Sequence, residues 1–211
     1  MDSNALRLPA ALGFAYLLGA VPTGFLLLKR LKGVDLRITG SGNIGATNVT
    51  RVAGSGLGRL VFVMDAAKGL IAAHVLAPLL CPGSASWVPL ACGAAAVLGH
   101  NFPVFLSFRG GKGVATTIGV LLGTMPLVAA GSLLIWALCF AVWRYVSLAS
   151  LAAALVVPVG QAITRQPAPD LALGAALALL IIVRHGANIQ RLRAGTEHRF
   201  ERAGAGRRGH A

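Results

Sequence analysis

Acid is what this chain has least of. Its 211 residues carry 6 Asp and Glu against 19 Lys and Arg, and no acid occurs between Asp65 and Asp170. Clustered aspartates of the kind that hold magnesium are therefore missing, which argues against a metal-dependent phosphotransferase. Charge of either sign is sparse, at 12% of residues, where a soluble domain carries about 25%. Aromatic residues make up 6% and do not interleave with a basic stripe, so the net charge of +13 does not describe a nucleic-acid surface. The three cysteines, Cys81, Cys92 and Cys139, sit in or beside apolar runs and form no C-x-x-C. That excludes a zinc ribbon and a disulfide framework and leaves small residues of an apolar interior.

What is present is grease: 56% of the residues are hydrophobic. Seven apolar segments can be drawn, near 7–28, 56–80, 87–102, 114–125, 126–143, 146–164 and 170–184. The first is followed by Lys29, Arg30 and Lys32, a stop-transfer pattern, and is read as a span and not as a cleaved signal. The fourth is too short for a hydrocarbon core that takes about 20 helical residues to cross. It is either a short span packed inside the bundle or half of a re-entrant pair with the fifth. The expectation is an all-α polytopic membrane protein, a bundle of seven transmembrane helices. Residues 1–203 form one integral-membrane domain and 204–211 a disordered basic tail. Arginine and lysine set its orientation. With the N-terminus outside, the basic residues at 29–37, 51, 109–112, 144 and from 184 onward are cytoplasmic, and the outer side keeps Arg7 and Arg165.

That topology gathers the polar clusters on the cytoplasmic face, where the C-terminus also lies. Thr39–Arg51 (TGSGNIGATNVTR) cannot lie against lipid, because its backbone groups would go unpaired. Gly99–Thr116, Arg144–Ser150 and Arg184–Arg199 follow on the same side, whereas the outer loops are short and chemically poor. Glycines 40, 42, 45, 110, 111 and 113 allow the backbone to approach a ligand or curl into a nest of N–H donors. The even-numbered helices begin at this face and add the partial positive charge of their N-termini. Arg51 and Lys112 supply full charges, one a fork and the other a point. Each element has an ordinary reading as a turn, a positive-inside lysine or a helix cap, and Gly110–Gly113 is no Walker loop. Together, on one face, they describe a phosphate site. Asp65 and Lys68, three residues apart in the second span, read as a buried pair bracing the bundle beside it.

Ser41–Arg51, Gly99–Thr116 and Arg184–Arg199 closely resemble, in order and spacing, the three cytoplasmic motifs of the acyl-phosphate:glycerol-3-phosphate acyltransferase family, the bacterial PlsY type. The H-x-x-x-x-D pattern of many other glycerolipid acyltransferases is missing, since no aspartate stands at that distance after His74, His100 or His185. The resemblance implies transfer of a fatty acyl group from acyl phosphate to the 1-hydroxyl of glycerol 3-phosphate. The products are lysophosphatidic acid and inorganic phosphate, the first step of bacterial phosphatidic acid synthesis.

It implies an inner-membrane enzyme, in contact with membrane lipid, with a cytoplasmic site and without metal or cofactor. Nucleic acid is not a partner; a soluble acyltransferase that makes acyl phosphate is. By motif match, Arg51, Lys112, His185 and Asn188 bind phosphate groups with Ser41, and Ser150 adds a hydroxyl. Gly42, Asn43, Gly45, Thr47, Asn48, His100, Gly110, Gly111, Gly113 and Thr116 are the further expected substrate contacts. A substrate phosphate takes the hydroxyl proton, with His185 as the alternative base. An activated anhydride asks mainly for positioning and charge stabilisation, and a site without a nearby carboxylate suits that demand. The competing class is an organic-phosphate transporter, for which the chain lacks an inverted repeat and a pair of broken helices.

Overall fold

The computed structural model describes residues 3–200, with side chains from Leu6 onward. The expected tail at 204–211 lies outside them. Every element among the described residues is helical. Each apolar segment of the sequence becomes a helix or a helix pair. They are α1 (Ser3–Ala20) with α2 (Thr23–Lys32), α4 (Ser55–Leu70) continuing through a π-helical turn (Ile71–Leu76) into α5 (Ala77–Leu80), α6 (Val88–Asn101), α7 (Val114–Thr124), α8 (Pro126–Trp143), α9 (Val146–Ile163) and α10 (Ala168–Arg184). Two short helices, α3 (Ala46–Ala53) and α11 (Gly186–Arg193), lie within the polar clusters.

Five stretches are long and apolar enough to cross a bilayer: Leu6–Lys32, Ser55–Leu80, Val88–Leu106, Pro126–Trp143 and Val146–Ile163. A sixth forms if α10 and α11, bent by 57° at His185, count as one. The chain is a multi-pass membrane protein. With 11 residues, α7 reaches only about 16 Å along its axis and is not among these spans. It is buried from Thr116 to Leu121 because its neighbours come very close. A Cβ on Gly119 would collide with the Ala66 carbonyl of α4, and one on Gly69 with the carbonyl of Thr116. Small residues allow such backbone approach where hydrophobic burial cannot drive helix association.

The first span is broken. Val21 and Pro22 interrupt it between α1 and α2, since proline has no N–H to continue the ladder. The carbonyls freed at the break are satisfied from the second span: Lys68 Nζ donates to Val21 O at 2.9 Å and to Gly19 O at 3.3 Å. Lys68 is in turn paired with Asp65 at 2.7 Å, and Thr23 Oγ1 donates to the same carboxylate at 2.5 Å. His100 Nδ1 lies 3.6 Å from it. The Asp65–Lys68 pair read from the sequence is thus a brace that completes a neighbouring helix.

Candidate active site

Thr39–Arg51 folds around one side chain. Asn48, almost wholly buried, donates through Nδ2 to Thr39 O at 2.9 Å and Asn43 O at 2.8 Å. Its Oδ1 accepts from Ser41 N–H at 2.8 Å. Asn43 Oδ1 accepts from Gly45 N–H at 2.9 Å, closing the turn that starts α3. These bonds replace the ladder that the glycines forgo, and they hold Ser41, Thr47 and the first amides of α3 at the rim of a cavity.

Gly110–Gly113 is held from two sides. Gly111 N–H donates to His100 O at 3.0 Å. Arg184 grips the opposite edge, with Nε to Gly111 O at 3.1 Å and Nη2 to the carbonyls of Gly110 and Gly111 at 3.1 and 3.0 Å. Its guanidinium lies 5.0 Å over the Phe102 ring. With its carbonyl edge tied to Arg184, the peptide between Gly111 and Lys112 turns its N–H edge the other way. Gly113, at φ 81°, then starts α7. The left-handed turn suits a residue without Cβ, and a Cβ there would press on Asn101 and Val97.

Lys112 emerges from this loop and donates to Asn188 Oδ1 on α11. Burial pulls its ammonium down to about 8, with Glu197 opposing the shift and Arg191, Arg51 and Arg184 adding to it. Arg51, half-buried at the end of α3, is likewise held below its usual value by burial, against the pull of Glu197. It keeps a buried Nε without a hydrogen-bond partner. His185 sits at the bend between α10 and α11, its Nδ1 2.8 Å from Ile181 O, so Nε2 is the nitrogen left for other work. Ser150 Oγ is 3.3 Å from the indole nitrogen of Trp136.

One polar cavity of about 130 Å³ gathers Ser41, Asn43, Gly45, Thr47, Asn48, Arg51, His100, Lys112, Gly113, Ser150, His185 and Asn188. These residues were expected together and they meet. Gly42, Gly110, Gly111 and Thr116 are not on its wall. Gly42 makes a turn, its N–H on Thr39 O. Gly110 and Gly111 let the loop press on His100, and Thr116 is buried against Gly69 of α4. Their part is to shape the site.

The expectation of a site without a carboxylate is overturned. Glu197 lines the cavity and accepts from Asn188 Nδ2 at 2.7 Å, Ser147 Oγ at 2.9 Å and Arg191 Nε at 2.7 Å. Burial alone would raise its pKa, but these bonds from Asn188, Arg191 and Ser147 hold it below the usual carboxylate range. Its charge partly offsets those of Lys112 and Arg51. It orients Asn188, which holds Lys112. Asp65 reaches the wall from the other side. The sequence signal for Glu197 was its position, a single acid within Arg184–Arg199. Arg184, Ser147 and Trp136 also went unassigned.

Beside the polar cavity runs a larger apolar one, about 550 Å³, walled by Phe62, Ile118, Leu133, Trp136, Phe140 and Phe200 among others. The two share Ala46, Thr47, Phe62, Val114, Trp136 and Val146, so a wet end and a greasy end adjoin along a common wall. Phe62 and Leu133 on its wall are partly exposed.

The model of the family described as glycerol-3-phosphate acyltransferase matches residues 10–195. The glycerol-3-phosphate acyltransferase of Geotalea daltonii is 47% identical over 188 residues, 89% of this chain and 95% of that protein. That of Aquifex aeolicus is 48% identical over 187 residues, 89% of this chain and 96% of its own length. A crystal structure of PlsY (YgiH), an integral membrane glycerol 3-phosphate acyltransferase in its glycerol 3-phosphate form, is 46% identical, covers 92% of this chain and 96% of that one, and superposes with a TM-score of 0.86. Its lysophosphatidic acid form gives 0.84 at 45% identity. With the family model matched over residues 10–195 and relatives 46–48% identical over about nine-tenths of the chain, the chain belongs to the glycerol-3-phosphate acyltransferase family.

Proposed function

We propose that this enzyme transfers a fatty acyl group from acyl phosphate to the 1-hydroxyl of glycerol 3-phosphate, releasing lysophosphatidic acid and inorganic phosphate. The observation that carries the reading is the two-ended cavity. Each substrate has a phosphate for Arg51, Lys112 and the amides of the two glycine loops, and one of them has a long chain for the apolar end. The hydroxyl oxygen attacks the acyl carbonyl carbon, the bond from that carbon to the phosphate oxygen breaks, and phosphate departs with its electron pair. Arg51, Lys112 and Ser41 hold the leaving group and the acceptor phosphate in register, which is most of what an activated anhydride requires.

A substrate phosphate oxygen accepts the hydroxyl proton. His185 is tied at Nδ1 to Ile181, so its second nitrogen is the alternative acceptor. His185→Gln with retained turnover and a weakened pH dependence is the expected result; complete loss with normal substrate binding assigns the proton to the histidine. In this reading the site faces the cytoplasm of a bacterial inner membrane, within a bundle of seven spans whose N-terminus is outside. A soluble acyltransferase supplies the acyl phosphate. The test is purified protein with palmitoyl phosphate and glycerol 3-phosphate, alongside the coenzyme A and acyl carrier protein thioesters. Equal release of lysophosphatidate and phosphate from the anhydride alone supports the donor. Product from a thioester alone refutes it.

A further inference from the structure

Residues 196–200 lie beyond the part of the chain that the family model matches, yet they are fastened across the turn between α8 and α9. Arg199 Nε donates to Trp143 O at 3.2 Å, and Phe200 N–H donates to Arg144 O at 3.0 Å. Arg144 Nε returns a bond to Phe200 O at 3.4 Å. Glu197 anchors the near end of this strap on Ser147, Asn188 and Arg191.

The strap delivers one ring to a particular place. Trp136 and Phe140 stack at 5.1 Å along the wall of the apolar cavity, and Phe200 meets Phe140 edge-on at 6.0 Å. On its other side the guanidinium of Arg51 stands 5.8 Å over the Phe200 ring. One aromatic side chain therefore touches both the greasy end and a cation of the wet end. A chain whose head is held at Arg51 passes this ring with its first few carbons, not with its distal methyl.

We infer that Phe200 is a specificity-determining residue, a fixed aromatic wall that selects against branching close to the acyl carbonyl. The inference rests on the acyltransferase reading above and adds a property of the donor to it. Straight chains lie flat along Trp136, Phe140 and Phe200; a methyl beside the carbonyl has to displace a ring that its strap cannot release. Chain length is read farther down the groove and is not set here.

The experiment compares kcat/KM for palmitoyl phosphate and 2-methylpalmitoyl phosphate in the wild type, Phe200→Ala, Phe200→Leu and Phe200→Trp. The wild type is expected to prefer the straight chain, and Phe200→Ala to narrow that ratio about tenfold, the scale of one methyl in an apolar pocket. Phe200→Leu falls between, Phe200→Trp widens the ratio, and KM for glycerol 3-phosphate changes less than about twofold in each. The leucine and tryptophan variants decide the matter if alanine fails to fold. A wild type indifferent to the methyl, an unchanged ratio in folded variants, or equal loss with both donors together with a raised glycerol 3-phosphate KM overturns the inference. If the wild type accepts only thioesters, the same pair of chains is compared as thioesters. Failure of the donor assignment then leaves this test intact.

Discussion

At the scale of single residues, the site turns on two cations that burial has made costly and that a phosphate would reward. Arg51→Ala and Lys112→Ala are each expected to lower kcat/KM at least about 100-fold, the cost of removing one preorganised donor, while the detergent-solubilised proteins remain folded. Full turnover by either purified variant ends the two-cation clamp. Lys112 also gives a pH dependence. A lysine is charged below its pKa, and this one titrates at about 8. Since kcat/KM reports the free enzyme, it should fall as pH rises through that value. Stability from the same group runs the other way. Between about 8 and 10.5 the unfolded chain binds the proton that the folded one does not, so the unfolding free energy rises with pH. A kcat/KM profile flat to pH 10, or a decline that follows loss of folded protein, contradicts this. The cations were legible in the sequence only in combination: each alone reads as positive-inside charge, but on one face with the glycine loops they describe a phosphate site. Glu197 was not, since an acid in an arginine-rich run reads as a surface pair. Only the fold brings Ser147 and Asn188 to its carboxylate.

At the scale of elements, hydropathy gave the helices within a few residues, because a long apolar run in this composition has one fate in lipid. It ran straight across the break at Val21 and Pro22, although the proline marks it, and across the π-helical turn after Leu70, because an average over apolar residues does not register local backbone geometry. Nor could it choose between the two readings of the fourth segment. The buried α7 fits between its neighbours because Gly119 and Gly69 let backbones meet. Gly119→Ala is expected to destabilise the protein by about 1–3 kcal/mol, the usual cost of overpacking, and to disturb the loop from which α7 starts. The check is a melting curve in detergent set beside activity. An alanine variant with wild-type melting shows that the contact has slack.

At the scale of the whole molecule, positive charge and polar clusters pointed to one working face, and the structure gathers four clusters distant in sequence into a single cavity. The sidedness of that face can be measured. Single cysteines at Thr47 and at the exposed Arg109, in a background where Cys81, Cys92 and Cys139 are replaced, should both be blocked only by a thiol reagent that enters the cytoplasm. Labelling from opposite compartments dismantles the site. The broken first span carries a consequence for how the molecule comes to exist. Without Lys68 the carbonyl of Gly19 lacks the second span's donor and that of Val21 keeps only the local bond from Thr23 N–H, and without Asp65 the lysine has no counter-charge. Neither segment is a finished object alone. The final packing of the first span therefore waits on the second, and the two are completed as a matched pair.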